Sequence, residues 1–170
     1  MPFARVVFSL ALPIALAVGP AIAQPAIAQE VTTEKALSLD LAQGIAEAAL
    51  TKCRADGNHV SVTVLDRDGL IKAVLRDDGS GPHTLTTSRR KAFTSVTFKQ
   101  PSGDWAKRVL TDPAVAGLKD TAGTIALGGG VPIKAGNEVI GAIGVSGSPG
   151  AGKDEACANA GIEKFAEKLK

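Results

Sequence analysis

The sequence of 170 residues is poor in aromatic side chains. It holds one Trp, no Tyr and five Phe, and beyond residue 28 only Phe93, Phe98, Phe165 and Trp105 remain. Deep pockets for flat ligands are lined by large apolar and aromatic side chains, so this shortage argues for a shallow site or one between subunits. Histidine is equally scarce. His59 and His83 are the only two, and neither has a second ligand at regular spacing, which excludes a closed His-rich zinc site. The two cysteines, Cys53 and Cys157, form no CxxC pair and have no His at ligand spacing, so a thiolate metal centre is not indicated either. An excess of one charge is also lacking. Nineteen Lys and Arg against 17 Asp and Glu leave a net charge of +2, which argues against a nucleic-acid binder driven by phosphate neutralisation and, with 45% hydrophobic residues, against disorder. After residue 28 no apolar run approaches the roughly 20 residues of a membrane span.

What is present begins with a leader. Arg5 supplies a basic start, Val6 to Val18 an apolar run broken by Pro13, and Ala21-Ile22-Ala23 before Gln24 the small residues a signal peptidase reads. A second Ala26-Ile27-Ala28 precedes Gln29, so cleavage is expected after Ala23 or Ala28. The run has no polar face, which disfavours an uncleaved amphipathic anchor. Residues 1–28 are therefore read as a signal peptide, 29–37 as an arm and 38–170 as one domain, periplasmic or secreted. That compartment permits disulfides. Cys53 and Cys157 fall on the apolar stripes of two expected helices, where they either pair or pack as two buried thiols.

Along the domain, Ser38 can cap a helix with apolar positions Leu41, Ile45, Ala49 and Cys53, ended by Gly57. His59 to Asp66 alternates and reads as a half-buried strand, with Val60, Val62 and Val64 inward. Asp66 to Gly69 is a turn, and Leu70 to Leu75 returns as the second strand of a hairpin. Thr84 to Phe98 is an expected helix stopped by Pro101. Ser102 to Gly123 reads as one or two short helical turns anchored by Trp105, Val109 and Leu110. Thr124 to Leu127, Val131 to Lys134 and Glu138 to Ser146 are expected strands around Gly128-Gly129-Gly130, and Ala151 to Leu169 a closing helix. The economical architecture is α/β of the α+β kind, a single antiparallel sheet of about five strands with helices packed on it.

Several blocks in order carry a resemblance: Gly81-Pro82-His83-Thr84, Ser88-Arg89-Arg90-Lys91-Ala92-Phe93-Thr94, Leu127 to Ile133, Gly141 to Gly147, and Asp154-Glu155-Ala156-Cys157. Over roughly Leu37 to Leu169 the chain resembles the GlcG/HbpS-like haem-binding family, related to the C-terminal domain of PduO-type proteins. The resemblance implies one α/β domain with profilin- or PAS-like layering, assembly into a homo-oligomer, and haem as the ligand, in iron sensing, storage or handling. It equally admits an enzyme or accessory protein acting on a small carboxylate or a diol-pathway metabolite.

The site residues follow from chemistry and motif together. A haem iron needs a single axial side chain. His83 lies in a glycine-containing loop before a helix, within the family's motif, where its imidazole can face a ligand and the helix N-terminus, with Thr84, can favour a propionate. Arg89, Arg90 and Lys91 follow within two turns and can neutralise carboxylates. Gly128, Gly129 and Gly130 border the site in the family's pattern, or simply let a neighbouring backbone approach. His59, on the polar face of the first strand, reads as a surface residue. Gly147 to Asp154 matches a phosphate loop except at Asp154, where a carboxylate replaces the magnesium-binding hydroxyl, so it reads as a strand-to-helix connection, with anion binding at its backbone amides as the lesser alternative. No nucleophile elbow is present around Ser146 or Ser148. Glu163 and Glu167, four apart on the last helix, read as a solvated face or a peripheral iron site.

Overall fold

A computed structural model describes residues 31–170; the leader lies outside them. Residues Thr33–Lys170 form one compact unit. Its elements are α1 (Leu39–Ala55), β1 (Ser61–Asp66), β2 (Ile71–Arg76), α2 (Thr84–Phe98), α3 (Ser102–Thr111), a 3-10 turn (Ala116–Asp120), β3 (Gly130–Ala135), β4 (Glu138–Ser146), α4 (Ala151–Glu163) and a 3-10 turn (Ala166–Leu169). The strands pair antiparallel in the order β2-β1-β4-β3. No described helix is long and apolar enough to cross a membrane.

The local signals explain most elements. Ser38 caps α1, its Oγ accepting from the Leu41 N–H at 3.3 Å, and the periodic positions Ile45, Ala49 and Cys53 are fully buried. The β1–β2 turn is held by Asp66, whose carboxylate accepts from the N–H groups of Asp68 (3.0 Å) and Leu70 (2.9 Å). Gly69 there has φ +77°, open only to residues without a Cβ penalty.

The sheet has four strands where the sequence suggests about five. Residues 124–127 do not join it because side chains take their backbone groups. Arg90 donates to the Thr124 carbonyl, Thr94 Oγ1 accepts from the Ile125 N–H at 2.9 Å, and Ser102 Oγ donates to the Leu127 carbonyl at 2.7 Å. With those groups satisfied, no ladder is needed. Two further expectations change. Ser102–Thr111 is one continuous helix, with Trp105 and Val109 buried but Leu110 exposed. β1 is buried on both faces, since it is a central strand between β2 and β4 with helices above and below.

Those helices form two layers. α1 and α4 cover one face over Val62, Val64, Ile133, Ile143 and Val145. A disulfide joins Cys53 of α1 to Cys157 of α4. The other face carries α2, and it is built differently. Ser61 Oγ meets Thr84 Oγ1 at 2.7 Å, and Thr63 Oγ1 meets Ser88 Oγ at 2.8 Å. Gly130 and Gly144 stand opposite one another in β3 and β4. A Cβ on either would fall 2.1 Å from an α2 carbonyl, Lys91 O or Ser88 O. The α2 backbone thus rests directly on glycine.

Candidate functional site

The close seating of α2 places its N-terminus beside that of α4, and a cleft of about 330 Å³ opens between them. This is near the lower end of small-molecule sites, roughly 300–1,000 Å³. His83, Thr84 and Thr87 form one wall, and residues 146–151 the other, with Leu127 at the rim and Lys91 and Asp154 at the floor. Among the described residues no Phe or Trp lines it. Phe98 and Trp105 stack on each other at 4.8 Å between ring centroids, Phe93 packs near Gly69 and Gly123, and Phe165 packs on Gly44.

His83 is exposed and precedes α2 without a side-chain cap. Its ring folds over Gly81, where a Cβ would sit 2.9 Å from Cε1 and 3.1 Å from Nδ1. Glycine at 81 therefore leaves the imidazole its position. α4 also starts without a side-chain cap, at Gly150 with φ +113°. Two helix starts without side-chain caps thus converge on one cleft, and both favour negative charge.

The floor is an ion pair. Lys91 Nζ donates to Asp154 Oδ2 at 2.7 Å and to the Val145 carbonyl at 3.0 Å, and Asp154 Oδ1 accepts from the Ser148 N–H at 3.0 Å. Both side chains are buried, 5% and 4% exposed. Asp154, the residue that breaks the phosphate-loop pattern, is thus turned inward to hold the connection between β4 and α4. Gly129, with φ +114°, makes room for the pair, since a Cβ there would lie 3.0 Å from Lys91 Nζ and 2.8 Å from Asp154 Cβ.

The basic triplet does not act as one cluster. Successive helical residues are turned about 100° apart, and the three side chains separate. Arg89 is exposed beside Thr63, Ile71, Val74, Leu85 and Thr86 in a second shallow groove. Arg90 donates to Thr124 O, and Lys91 is buried in the pair with Asp154. Gly128 packs between Gly103 and Ala151, close to Glu155. Burial, and secondarily the charge of Asp104, hold the Glu155 carboxyl above its ordinary range. Glu163 ends α4 and Glu167 lies in the following 3-10 turn, paired with Lys170, so the two do not share one helix. Sequence reasoning missed Thr87, Ser146, Ser148 and Asp154 as cleft residues. The one usable signal was a carboxylate where the glycine loop called for a hydroxyl.

The family model described as haem degrading protein HbpS-like matches residues 37–163. The chain belongs to the HbpS-like family. The crystal structure of HbpS is 40% identical, covering 80% of this chain and 94% of that one with a TM-score of 0.76. A double mutant of HbpS from Streptomyces reticuli is 38% identical over 88% of this chain and 98% of its own, with a TM-score of 0.77. A PduOC–haem complex shares the fold at 23% identity, covering 76% of this chain and 94% of its own with a TM-score of 0.71. No curated protein sequence matches.

Proposed function

We propose that this HbpS-like protein binds haem at the cleft between the α2 and α4 starts, with His83 as the iron ligand. The observation that carries the reading is the convergence on one cleft of an exposed imidazole and two uncapped helix N-termini. A ferric porphyrin asks for that donor set, an axial nitrogen and an environment for carboxylates. When bound, haem would supply an iron centre held by His83. The chain's part is to hold His83 over Gly81, to offer Ser148 as a hydroxyl donor to a propionate beside the wall of Thr84 and Thr87, whose hydroxyls donate to the Gly81 and His83 carbonyls, and to keep the far wall fixed through Lys91 and Asp154. A cleft this small and without aromatic lining would not enclose a macrocycle by itself, so a second copy of the chain in a homo-oligomer would complete the cover.

In this reading the working protein is residues 29–170, acting in haem or iron handling in the periplasm or outside the cell. Titrating hemin into the mature protein is expected to shift and sharpen the Soret band, and His83→Ala to remove the part of the shift that belongs to the cleft. A spectrum identical to free hemin in the unsubstituted protein would end the haem reading.

A further inference from the structure

The sheet is covered unevenly at its β2 edge. α2 packs on β1, β3 and β4, and α1 packs on β1 and β2 from the opposite side, so the α2-facing side of β2 is left bare. The register identifies the residues there. Val74 stands opposite Thr63, and Ile71 opposite Leu65. Both β1 residues face α2, Thr63 through its contact with Ser88 and Leu65 through its packing with Ala92 and Val96. Cross-strand partners share a face, so Ile71 and Val74 point the same way, beyond the reach of the helix. Ile71 is 54% exposed and Val74 40%, whereas Ala73 and Leu75, on the other side of the same strand, pack against the main core.

This bare strip and one flank of α2 form the shallow groove beside Arg89, of about 310 Å³. Leu85 adds its side chain to the apolar wall. Leu85 and Arg89 are four residues apart and Thr86 and Arg89 three, so all three share one flank of the helix. Thr84, Thr87 and Lys91 lie on the other flank, in the cleft. Ile71 and Val74, three residues apart on a strand, give the groove roughly 10 Å of apolar floor. Single exposed apolar side chains are ordinary, but several meeting along one groove mark a binding surface.

Charge selects the occupant. Arg90 and Lys91 are committed to Thr124 and Asp154, but among the described residues no ion pair uses Arg89, and no carboxylate lines the groove. A cation without a counter-charge beside an apolar strip fits an anion that carries an apolar tail. A guanidinium takes a carboxylate through two parallel hydrogen bonds, and the tail is held by removal of its surface from water. A second copy docking the same patch about a two-fold axis would instead set like charge against like. We propose that the groove between β2 and α2 binds a free medium-chain alkyl carboxylate, its head on Arg89 beside Thr86 and its tail over Leu85, Ile71 and Val74. The proposal does not rest on haem as the ligand of the cleft, because groove and cleft use different flanks of α2.

The test is calorimetric titration of the mature chain with straight-chain carboxylates from butanoate to dodecanoate, each below its micelle concentration. One site per chain is expected, with affinity rising about two- to fourfold per added methylene and levelling off once the floor is covered. Octanol, which has the same tail without the charge, should bind about fivefold more weakly than octanoate. Arg89→Gln should abolish that difference. Ile71→Thr combined with Val74→Thr should flatten the dependence on chain length; the sites are exposed and Thr keeps the β-branched shape that suits a strand, so the melting temperature should not move. No binding of any carboxylate in the series, an octanoate affinity unmoved by Arg89→Gln, or displacement of bound octanoate by hemin would overturn the proposal. Binding of phosphatidylglycerol vesicles without binding of octanoate would overturn it in favour of a membrane surface. Conversion of an oligomer to monomers by the double Thr variant would overturn it in favour of a second copy of the chain.

Discussion

The two faces of this sheet are packed by different physics, and the candidate site lies where the helix starts of both meet. The face under α1 and α4 is made of Val, Ile and Ala, stabilised by removal of apolar surface from water. The face under α2 has hydroxyls in pairs, two glycines opposite one another and a buried Lys–Asp pair. A small buried apolar group, Leu65, Ala92, Val96 and Ala142, shares it, with Phe93 and Val139 packed against that group. Apolar burial is non-directional, whereas hydrogen-bonded pairs require particular distances and angles. The cleft lies where this α2 face meets the start of α4, whose body packs on the other face.

The comparison can be broken most severely at the ion pair. Lys91→Met should cost about 3–5 kcal/mol, because it leaves Asp154 buried without its partner. The double substitution Lys91→Met with Asp154→Leu should recover most of that stability, since apolar replacement of a whole buried pair is often neutral. Chemical denaturation of the three proteins measures both, and loss of ligand binding in the stable double variant would separate the pair's role in the cleft from its role in folding.

Next in size is the glycine contact. Gly144→Ala places a Cβ 2.1 Å from Ser88 O and 2.6 Å from Ala92 N, and backbone cannot swing aside as a side-chain tip can. A loss of about 3 kcal/mol is expected. On the opposite face the neighbouring residue Ile143 is also fully buried, yet Ile143→Val should cost only about 0.5–1.5 kcal/mol. Equal losses for the two would remove the distinction between the faces.

The smallest effect is the acid response of Asp77. Its folded-state pKa is lowered by Arg54, so its contribution is present above the unfolded carboxylate value of about 3.9 and is lost as pH falls through the lower folded value. Asp77→Asn should flatten the stability curve in that acid range, as followed by thermal melting from pH 7 downward.

Much of the fold was legible because its signals are local. Ser38 as a cap, the four-residue recurrence from Leu41 to Cys53, and the Asp66 to Gly69 turn each act within a few residues. The fifth strand was not legible, because Arg90, Thr94 and Ser102 reach residues 124–127 only after α2 and α3 have docked. In the site, His83 and its glycine were visible as a motif. The division of Arg89, Arg90 and Lys91 was not, because it depends on which direction of α2 faces the sheet.

The sequence by itself determined the element types, the antiparallel hairpin, the scarcity of aromatics and the presence of only two imidazoles. Tertiary structure decided what those imidazoles can do. Asp77 lies 18 residues from His59 and Asp154 lies 63 from Lys91, and no period or spacing links residues that far apart. Their pairing follows from the antiparallel return of β2 and from the seating of α2 on Gly130 and Gly144. A side chain's chemistry is local, but its tautomer, its partner and its exposure are set by the groups that the fold brings against it.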